Sequence, residues 1–283
     1  MPDRNKGRSI SQGVLLACLL CVTAAHPQDA SPGVQTDIET SDRYRYARVN
    51  GEGIGKFFMG REISHVMGHQ GAGWLERPDR EREERTDLLI ENLPIGPGDS
   101  VADIGAGTGY FSLPMARIVG SAGKVYAVDI QPEMLSIIAE RAGTEGLTNI
   151  EPVLAGERNP GLGAESIDMA LFVDAYHEFA WPWEVMSAVY ESLVPGGKVV
   201  LIEYRAEDPR VRIRELHKMT ERQATIEMEA VGFVFVENAE FLPQQHFLVF
   251  EKPLGSSPLL GTTGSTRRQQ PSALVTKRYT GRR

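Results

Sequence analysis

The chain has 283 residues, of which 41% are hydrophobic and 24% are charged, a balance that is ordinary for a soluble globular protein. Its cysteines are Cys18 and Cys21, so a mature chain beginning after residue 25 would have no disulfide, thiolate nucleophile or cysteine-ligated metal. The formal net charge is −8 although residues 253–283 hold six basic side chains and no acidic one. The acidic body that remains argues against broad binding to a nucleic-acid backbone.

The first 25 residues have the pattern of a signal peptide. Three basic residues within the first eight positions precede an apolar run over residues 14–25, which ends in small residues. The run is too short for a permanent transmembrane helix, so we expect no stable membrane span after processing. The pattern predicts an exported or periplasmic protein. The alternative is a mis-assigned start codon ahead of a cytoplasmic enzyme.

Residues 26–50 are polar and contain proline, which predicts a linker. Residues 51–92 are irregularly helical in pattern and predict an N-terminal helical cap. Within it, "REREER" is typical of a solvated helix face, with Glu81 and Arg85 spaced for an i,i+4 ion pair.

His65 and His69 have the spacing to share one helix face in this segment. A metal site there would need a further ligand, and no cysteine or H-E-x-x-H pattern supplies one. We therefore favour a cap folded over a cofactor pocket, with both histidines on its substrate side, and predict no metal.

Residues 93–252 alternate between strand and helix patterns. The strand-like runs are "SVADIG", "KVYAVDI", "NIEPVLAG", "IDMALFVD", "KVVLIEYR", "VFVENAEF" and "HFLVFEK". "PEMLSIIAERAG" and "PWEVMSAVYESLVPGG" are typical of helices that begin at proline and end at glycine. The alternation predicts an α/β fold with a parallel sheet covered on both faces. The last two strands predict an antiparallel hairpin at one edge. Residues 253–283 predict a disordered basic tail.

The stretch "SVADIGAGTGYFS" places Gly105, Gly107 and Gly109 at alternate positions after a strand. A dinucleotide fingerprint G-x-G-x-x-G requires glycine where this chain has Tyr110. Asp103 lies two residues before the first glycine. The pattern "DIGAGTG" resembles motif I of the class I methyltransferases that depend on S-adenosylmethionine (SAM), and the resemblance extends over about residues 93–252.

This resemblance implies a Rossmann-like sheet of seven mostly parallel strands with helices on both faces, and SAM as the cofactor. The glycines would let the backbone approach the amino-acid end of SAM, which Asp103 would orient. Asp129 ends the second strand and would accept hydrogen bonds from the ribose. "AGERNPG" offers Glu157 near the adenine. The residues expected at the cofactor are Asp103, Gly105, Ala106, Gly107, Gly109, Asp129, Ile130, Glu157 and Asp174.

The resemblance also places "SIDMALFVDAYHEF" at the loop that opens onto the methyl group. The expected catalytic residues are Tyr176, His177 and Glu178. His177 would serve as a base if the acceptor carries a proton, because its ordinary pKa lies near neutral pH. Alternatively, Tyr176 and His177 frame the pocket. Trp181 and Trp183 are expected to pack against the next helix.

Three functions remain open from the residues. The leading one is a SAM-dependent methyltransferase acting on a small molecule, without nucleic acid. The second is a SAM-binding protein without catalysis, which would suit an exported protein because SAM is made in the cytosol. The third, an NAD(P)-dependent oxidoreductase, is disfavoured by Tyr110. The sequence identifies neither the acceptor nor the oligomeric state.

Overall fold

A computed structural model describes residues 43–47 and 51–255. The predicted signal peptide, most of the predicted linker and nearly all of the predicted basic tail lie outside these residues. The main sheet contains strands β4 (Ser100–Ile104), β5 (Lys124–Asp129), β6 (Ile150–Leu154), β7 (Ile167–Val173), β8 (Leu193–Arg205), β9 (Lys218–Met219), β10 (Val234–Asn238) and β11 (Gln245–Glu251). Their order is β10-β11-β8-β7-β4-β5-β6, and β9 pairs with β8.

The sheet confirms the predicted α/β class and the edge hairpin. Strands β4 to β8 run parallel to one another, whereas β11 is antiparallel to both β8 and β10. The short strand β9 raises the sheet from the seven strands predicted to eight. Only two residues of β9 pair with β8, which is too short a run for a sequence pattern to reveal.

Helices connect the parallel strands as predicted. They are α4 (Ser112–Val119), α5 (Pro132–Glu145), α6 (Pro182–Ser192) and α7 (Glu221–Val231). Proline at the first position starts α5 and α6, where its missing N–H costs no helical hydrogen bond. Helix α5 passes the expected stop at Gly143 and ends at Gly146, whose left-handed φ of +68° closes the last turn.

The core occupies both faces of the sheet. Along β7, Ala170 and Phe172 pack on the side of α6 and α7, whereas Met169 and Leu171 pack on the side of α4. This alternation follows from the two-residue period of a strand, and it explains why the buried strand reads as a continuous apolar run.

The N-terminal segment differs from the prediction. Strands β1 (Tyr44–Tyr46), β2 (Gly53–Phe58) and β3 (Arg61–Ser64) form a small antiparallel sheet where a linker and then a helix were expected. The reason lies in the turn between β2 and β3. Met59 and Gly60 have φ of +47° and +97°, the left-handed pair that a two-residue hairpin turn requires.

Short helices follow this sheet: α1 (Ala72–Leu75), α2 (Arg80–Glu84) and α3 (Thr86–Glu91). His65 and His69 do not share a helix, because residues 65–68 are irregular and His69 opens a single 3₁₀ turn. Helix α2 exposes Glu81 and Arg82, as predicted for a solvated face, but its other side is buried. Arg80 and Glu84 are buried, whereas Arg85 ends the helix in a left-handed conformation. The cap segment (residues 51–92) therefore combines a hairpin with short helices.

Within residues 43–47 and 51–255, no helix is both long enough and apolar enough to cross a membrane.

Candidate active site

A cavity of about 240 Å³ lies where β4, β5 and β7 end. Open α/β sheets place their ligands at this carboxyl edge. The strand ends and the glycine loop form one wall, and the cap segment forms the other. The cap contributes Ile54, Ser64, Val66, Met67 and Leu75 to the lining.

The glycine loop is shaped by three left-handed residues. Gly105, Gly107 and Gly109 have φ of +76°, +54° and +78°. A Cβ on Gly107 would come within 2.6 Å of Leu75 Cδ1, and one on Gly105 within 2.7 Å of Ala175 Cβ. Gly105 and Gly107 line the cavity, so side chains at these positions would crowd it.

The other loop residues have different places. Ala106 lines a smaller neighbouring cavity rather than the main one. Gly109 packs against Leu113 and Ile138, where a Cβ would lie 2.9 Å and 3.0 Å from their side chains. Gly109 therefore brings the loop close to the helices, and its role is in packing rather than in lining the cavity.

Asp129 lies at the end of β5 and lines the cavity, as predicted. Its Oδ2 accepts a hydrogen bond from the Gly107 backbone N–H at 2.9 Å, and its Oδ1 accepts one from Gln131 N–H at 2.8 Å. Burial raises the pKa of this carboxyl, while these backbone donors hold it down. One carboxylate thus fixes the glycine loop and borders the ligand space.

Asp103 lies beneath the loop and faces the smaller cavity of about 20 Å³. Its Oδ2 accepts a hydrogen bond from Ser112 Oγ at 2.5 Å. Burial raises the pKa of Asp103 to about 6; the Ser112 hydrogen bond lowers it and the nearby Asp129 raises it further. A charged carboxylate here is costly without a cationic partner.

Arg80 faces Asp103 across this smaller cavity, and the sequence reasoning missed it. Its Nε contacts Glu84 Oε2 at 3.0 Å, and its Nη1 donates to the Leu75 carbonyl at 2.9 Å. Tyr204 also donates its hydroxyl proton to Glu84 at 2.7 Å. Arg80 and Glu84 have the same i,i+4 spacing as Glu81 and Arg85. Nothing in the local sequence indicates which of the two pairs is buried.

Asp174 follows β7 and lines the main cavity, as predicted. Its φ of +49° is unusual for a residue with a side chain. Oδ2 accepts a hydrogen bond from Gln245 Nε2 at 2.7 Å, whereas Oδ1 is buried without a partner among the described residues. Burial raises the pKa of Asp174 well above its usual range, and Glu84 and Glu203 act in the same direction.

The geometry does not support the predicted role of Tyr176 at the reacting atoms. Its side chain is fully buried and does not line the cavity. The hydroxyl donates to Glu227 Oε2 at 2.7 Å, and Arg61 of the cap pairs with the same carboxylate through both of its oxygens at 2.7 and 2.8 Å. Tyr176 therefore fixes the Glu227 carboxylate, through which Arg61 ties the cap to helix α7.

The predicted role of His177 as a base that faces the cavity is not supported by the geometry. Its ring is buried, and it is absent from the cavity lining. Nδ1 lies 2.6 Å from Glu203 Oε2, and Nε2 lies 3.0 Å from His217 Nδ1. Both ring nitrogens contact other side chains, and the ring does not line the cavity.

Glu178 does line the cavity. Its Oε2 accepts a hydrogen bond from the Met67 backbone N–H at 3.0 Å, which ties the cap to this wall. Burial raises the pKa of Glu178, and His177 lowers it. Burial lowers the pKa of His217 to about 4, and the neighbouring His177 lowers it too.

Ile130 and Glu157 also line the main cavity. Trp181 and Trp183 pack beside Tyr44, Phe58 and Ile63 of the small sheet rather than against a helix alone.

Comparisons with known proteins agree with this arrangement. Residues 101–197 match the family model described as a methyltransferase domain. The "Probable cobalt-precorrin-6B C(15)-methyltransferase (decarboxylating)" of Saccharolobus solfataricus is 29% identical over 57% of this chain and 74% of its own length. A protein-L-isoaspartate O-methyltransferase of Aeropyrum pernix is 32% identical over 40% of this chain, but the match spans only 42% of that relative.

Solved structures share the fold. A SAM-dependent methyltransferase from Aquifex aeolicus superposes with a TM-score of 0.62 and 20% identity, covering 66% of this chain and 99% of that one. The [4+2]-cyclase SpnF has a TM-score of 0.53 at 16% identity, covering 69% and 88%. With the methyltransferase domain matched over residues 101–197, the glycine loop and the acidic end of β5, these findings support a class I SAM-dependent methyltransferase, with SAM as its cofactor.

Proposed function

We propose that this protein transfers the methyl group of SAM to a small organic acceptor that enters the cavity beneath the cap segment. The observation that carries the proposal is that residues of the cap segment cover the cavity. Ile54, Val66, Met67 and Leu75 close over the strand ends that hold the glycine loop. A pocket of this kind admits a small molecule more readily than a folded macromolecule.

The residues present fit SAM. The two cavity-lining glycines leave space that a Cβ would fill, and Asp129 offers carboxylate oxygens at the strand end, where a ribose binds in such folds. Asp103 and Arg80 put one acidic and one basic side chain around the smaller cavity, which suits the ammonium and carboxylate of an amino acid. When bound, SAM supplies a methyl group on a sulfonium, ready for in-line displacement.

The chain's own contribution is alignment and exclusion of water. The lining is mainly apolar and includes Val173, Ala175 and Phe179 near the end of β7. Asp174 and Glu178 are the acidic side chains on this part of the wall. They would orient a polar acceptor atom toward the methyl group. Fixing two reactants in line can supply much of a rate enhancement without any covalent step.

Nucleic acid is the main competing acceptor, because similar proteins include a "tRNA U34 carboxymethyltransferase" of Desulfotalea psychrophila. The test uses radiolabelled methyl-SAM with three separate acceptor pools: a small-metabolite extract, total RNA and total protein. We expect label in the metabolite fraction and production of S-adenosylhomocysteine. Label in RNA or protein would overturn the small-molecule proposal. SAM binding with no turnover in any pool would favour the non-catalytic alternative.

We also propose export, which the basic and apolar pattern of residues 1–25 supports. Fractionation of cells, followed by sequencing of the mature N-terminus, tests it. A mature chain that begins near residue 26 outside the cytoplasm is expected, and an uncleaved cytoplasmic chain would contradict it.

A further inference from the structure

Three metal-ligating side chains meet beside the cavity, and the methyltransferase fold does not account for them. They are His177 and Glu178, in the turn after β7, and His217, in the turn before β9. His177 Nε2 lies 3.0 Å from His217 Nδ1 and 3.9 Å from Glu178 Oε1, and the last two atoms lie 3.6 Å apart. The three atoms form a compact triangle.

The triangle has the size that a tetrahedral metal ion requires. Ligand atoms about 2.1 Å from a tetrahedral zinc ion lie about 3.4 Å from one another. The three measured separations bracket this value. Two imidazole nitrogens with one carboxylate oxygen is also a ligand set that zinc accepts, with a fourth position left for water or substrate.

The groups around the triangle orient it further. The fully buried Glu203 places Oε2 at 2.6 Å from His177 Nδ1. A carboxylate on the far nitrogen of a metal-binding histidine fixes the tautomer that leaves the near nitrogen free to ligate. Glu178 uses Oε2 to hold the Met67 N–H, so its Oε1 is the oxygen turned toward the histidines.

The chain's folding brings these ligands together from distant positions. Strand β9 pairs with β8 through Tyr204 and Arg205, and this pairing sets the preceding turn, with His217, against the turn that follows β7. The His177 side chain is 2% exposed, Glu178 14% and His217 23%. The triangle is therefore buried on one side and open on the other.

From this geometry we propose that His177, Glu178 and His217 bind one divalent transition-metal ion of the zinc class, with Glu203 positioning His177. Two imidazoles disfavour Mg²⁺ and Ca²⁺, which prefer oxygen ligands. The same ligand set occurs in non-haem Fe(II) sites, so the test compares binding of Zn²⁺ with binding of Fe²⁺. Glu178 also lines the main cavity, so a hydroxyl or thiol of the acceptor would occupy the fourth coordination position of the metal. This last consequence rests on the proposed function.

The test uses the full chain stripped of metal by a chelator. Zn²⁺ and, under anaerobic conditions, Fe²⁺ are titrated separately by calorimetry, and bound metal is counted by elemental analysis. We expect one ion per chain. Co²⁺ should give the intense visible bands of a four-coordinate ion. His217→Ala, a half-buried position, should weaken binding at least a hundredfold, and Glu203→Gln ten- to hundredfold.

His65→Ala is the matched control, because this histidine is exposed and lies outside the triangle. It should bind metal like the unmodified chain. No stoichiometric binding of either ion, or equal binding by His217→Ala, would overturn the site. If the metal is lost from His217→Ala while SAM binding and turnover persist, the site stands and its role toward the acceptor fails. If the chain binds metal but methylates nothing in the metabolite, RNA or protein pools described above, the result would count against the proposed function and not against the metal site.

Discussion

Gly107 is the residue at which the cofactor loop tolerates least change. Its φ is +54°, its N–H donates to Asp129, and an added Cβ would lie 2.6 Å from Leu75 of the cap. Gly120 has a similar φ of +67° but nothing within 4 Å of an added Cβ. Comparing alanine substitutions at the two glycines therefore distinguishes the effect of backbone strain from the effect of crowding in the cavity.

We expect Gly107→Ala to weaken SAM binding at least tenfold, because the methyl group enters the space between loop and cap. Gly120→Ala should cost similar stability, about 1 kcal/mol, and leave SAM affinity unchanged. Isothermal titration with SAM and thermal unfolding measure both. Equal SAM affinity in the two variants would show that the loop does not border the ligand.

The buried Asp103 carboxylate is expected to lower the stability of the ligand-free protein and to strengthen SAM binding. Its pKa in the folded chain is about 6, above the ordinary value of 3.8. The stability that its proton contributes is present below about pH 4 and is lost as pH rises through about 6. At pH 7.5, Asp103→Asn should therefore stabilise the ligand-free protein by about 2 kcal/mol.

The same substitution should weaken SAM binding by about 1.5–3 kcal/mol, because it removes the charge that, in the proposed function, would face the ammonium group of SAM. Denaturant unfolding at pH 4 and pH 7.5, with SAM titrations at the same values, measures both effects. A variant that is less stable at pH 7.5 than the unmodified chain would contradict the assignment.

Tyr176 holds the Glu227 carboxylate, which pairs with Arg61 of the cap. Tyr176→Phe removes the hydrogen bond to Glu227 but leaves Arg61 on that carboxylate. We expect a loss of about 1–2 kcal/mol in the free energy of unfolding and a turnover within a few-fold of the unmodified chain. A hundredfold fall in turnover without loss of stability would restore the catalytic role.

Residues whose role is local were predictable from the sequence. Gly105, Gly107 and Asp129 act through the loop and strand end that carry them, so spacing was sufficient. Tyr176 and His177 take their roles from Glu227 and Glu203, which lie 51 and 26 positions away. No local pattern contains such partners.

Among the elements, the irregular segment of residues 65–68 closes the cavity from the cap side. Gln131, just beyond β5, accepts a hydrogen bond from His69 N–H at 2.6 Å and donates one to the Met67 carbonyl at 3.0 Å. Glu178 holds Met67 from the other wall. The cap is thus tied across the mouth of the cavity by side chains from two different strand ends.

Gln131→Ala should release one of these ties. We expect faster amide exchange over residues 65–71 and a three- to thirtyfold rise in the dissociation constant of SAM, since the released side chain made two hydrogen bonds. Gln70→Ala, an exposed glutamine of the same segment, is the control. Unchanged exchange in Gln131→Ala would mean that other contacts hold the segment.

The elements after residue 93, apart from β9, were predictable because their hydrophobic periods are regular and proline and glycine mark many of their ends. The hairpin of β2 and β3 was not. Its turn needs Met59 in a left-handed conformation, which the side chain disfavours and which only the pairing of the two strands imposes. The burial of Arg80 and Glu84 was missed for a related reason, since their partners Leu75 and Tyr204 lie outside helix α2.

For the whole molecule, the cap and the sheet domain act as one unit around the ligand. Polar contacts join them, among them Arg61 with Glu227 and Lys56 with the Ala180 carbonyl, and Tyr44 of β1 adds a contact with Glu184. Removing one partner of a buried ion pair is costly, because the other charge remains buried. The cap is therefore part of the folded domain that forms the cavity.

The central claim is that SAM binds in this covered cavity at the end of β5. Calorimetric titration of the full chain with SAM, S-adenosylhomocysteine and NADH, repeated with Asp129→Ala, tests it most directly. The account predicts one site per chain for both sulfur nucleosides, none for NADH, and an affinity for SAM in Asp129→Ala that is weaker by about 1.5–3 kcal/mol. A folded protein that binds NADH instead, or that binds SAM equally well without the Asp129 carboxylate, would contradict it.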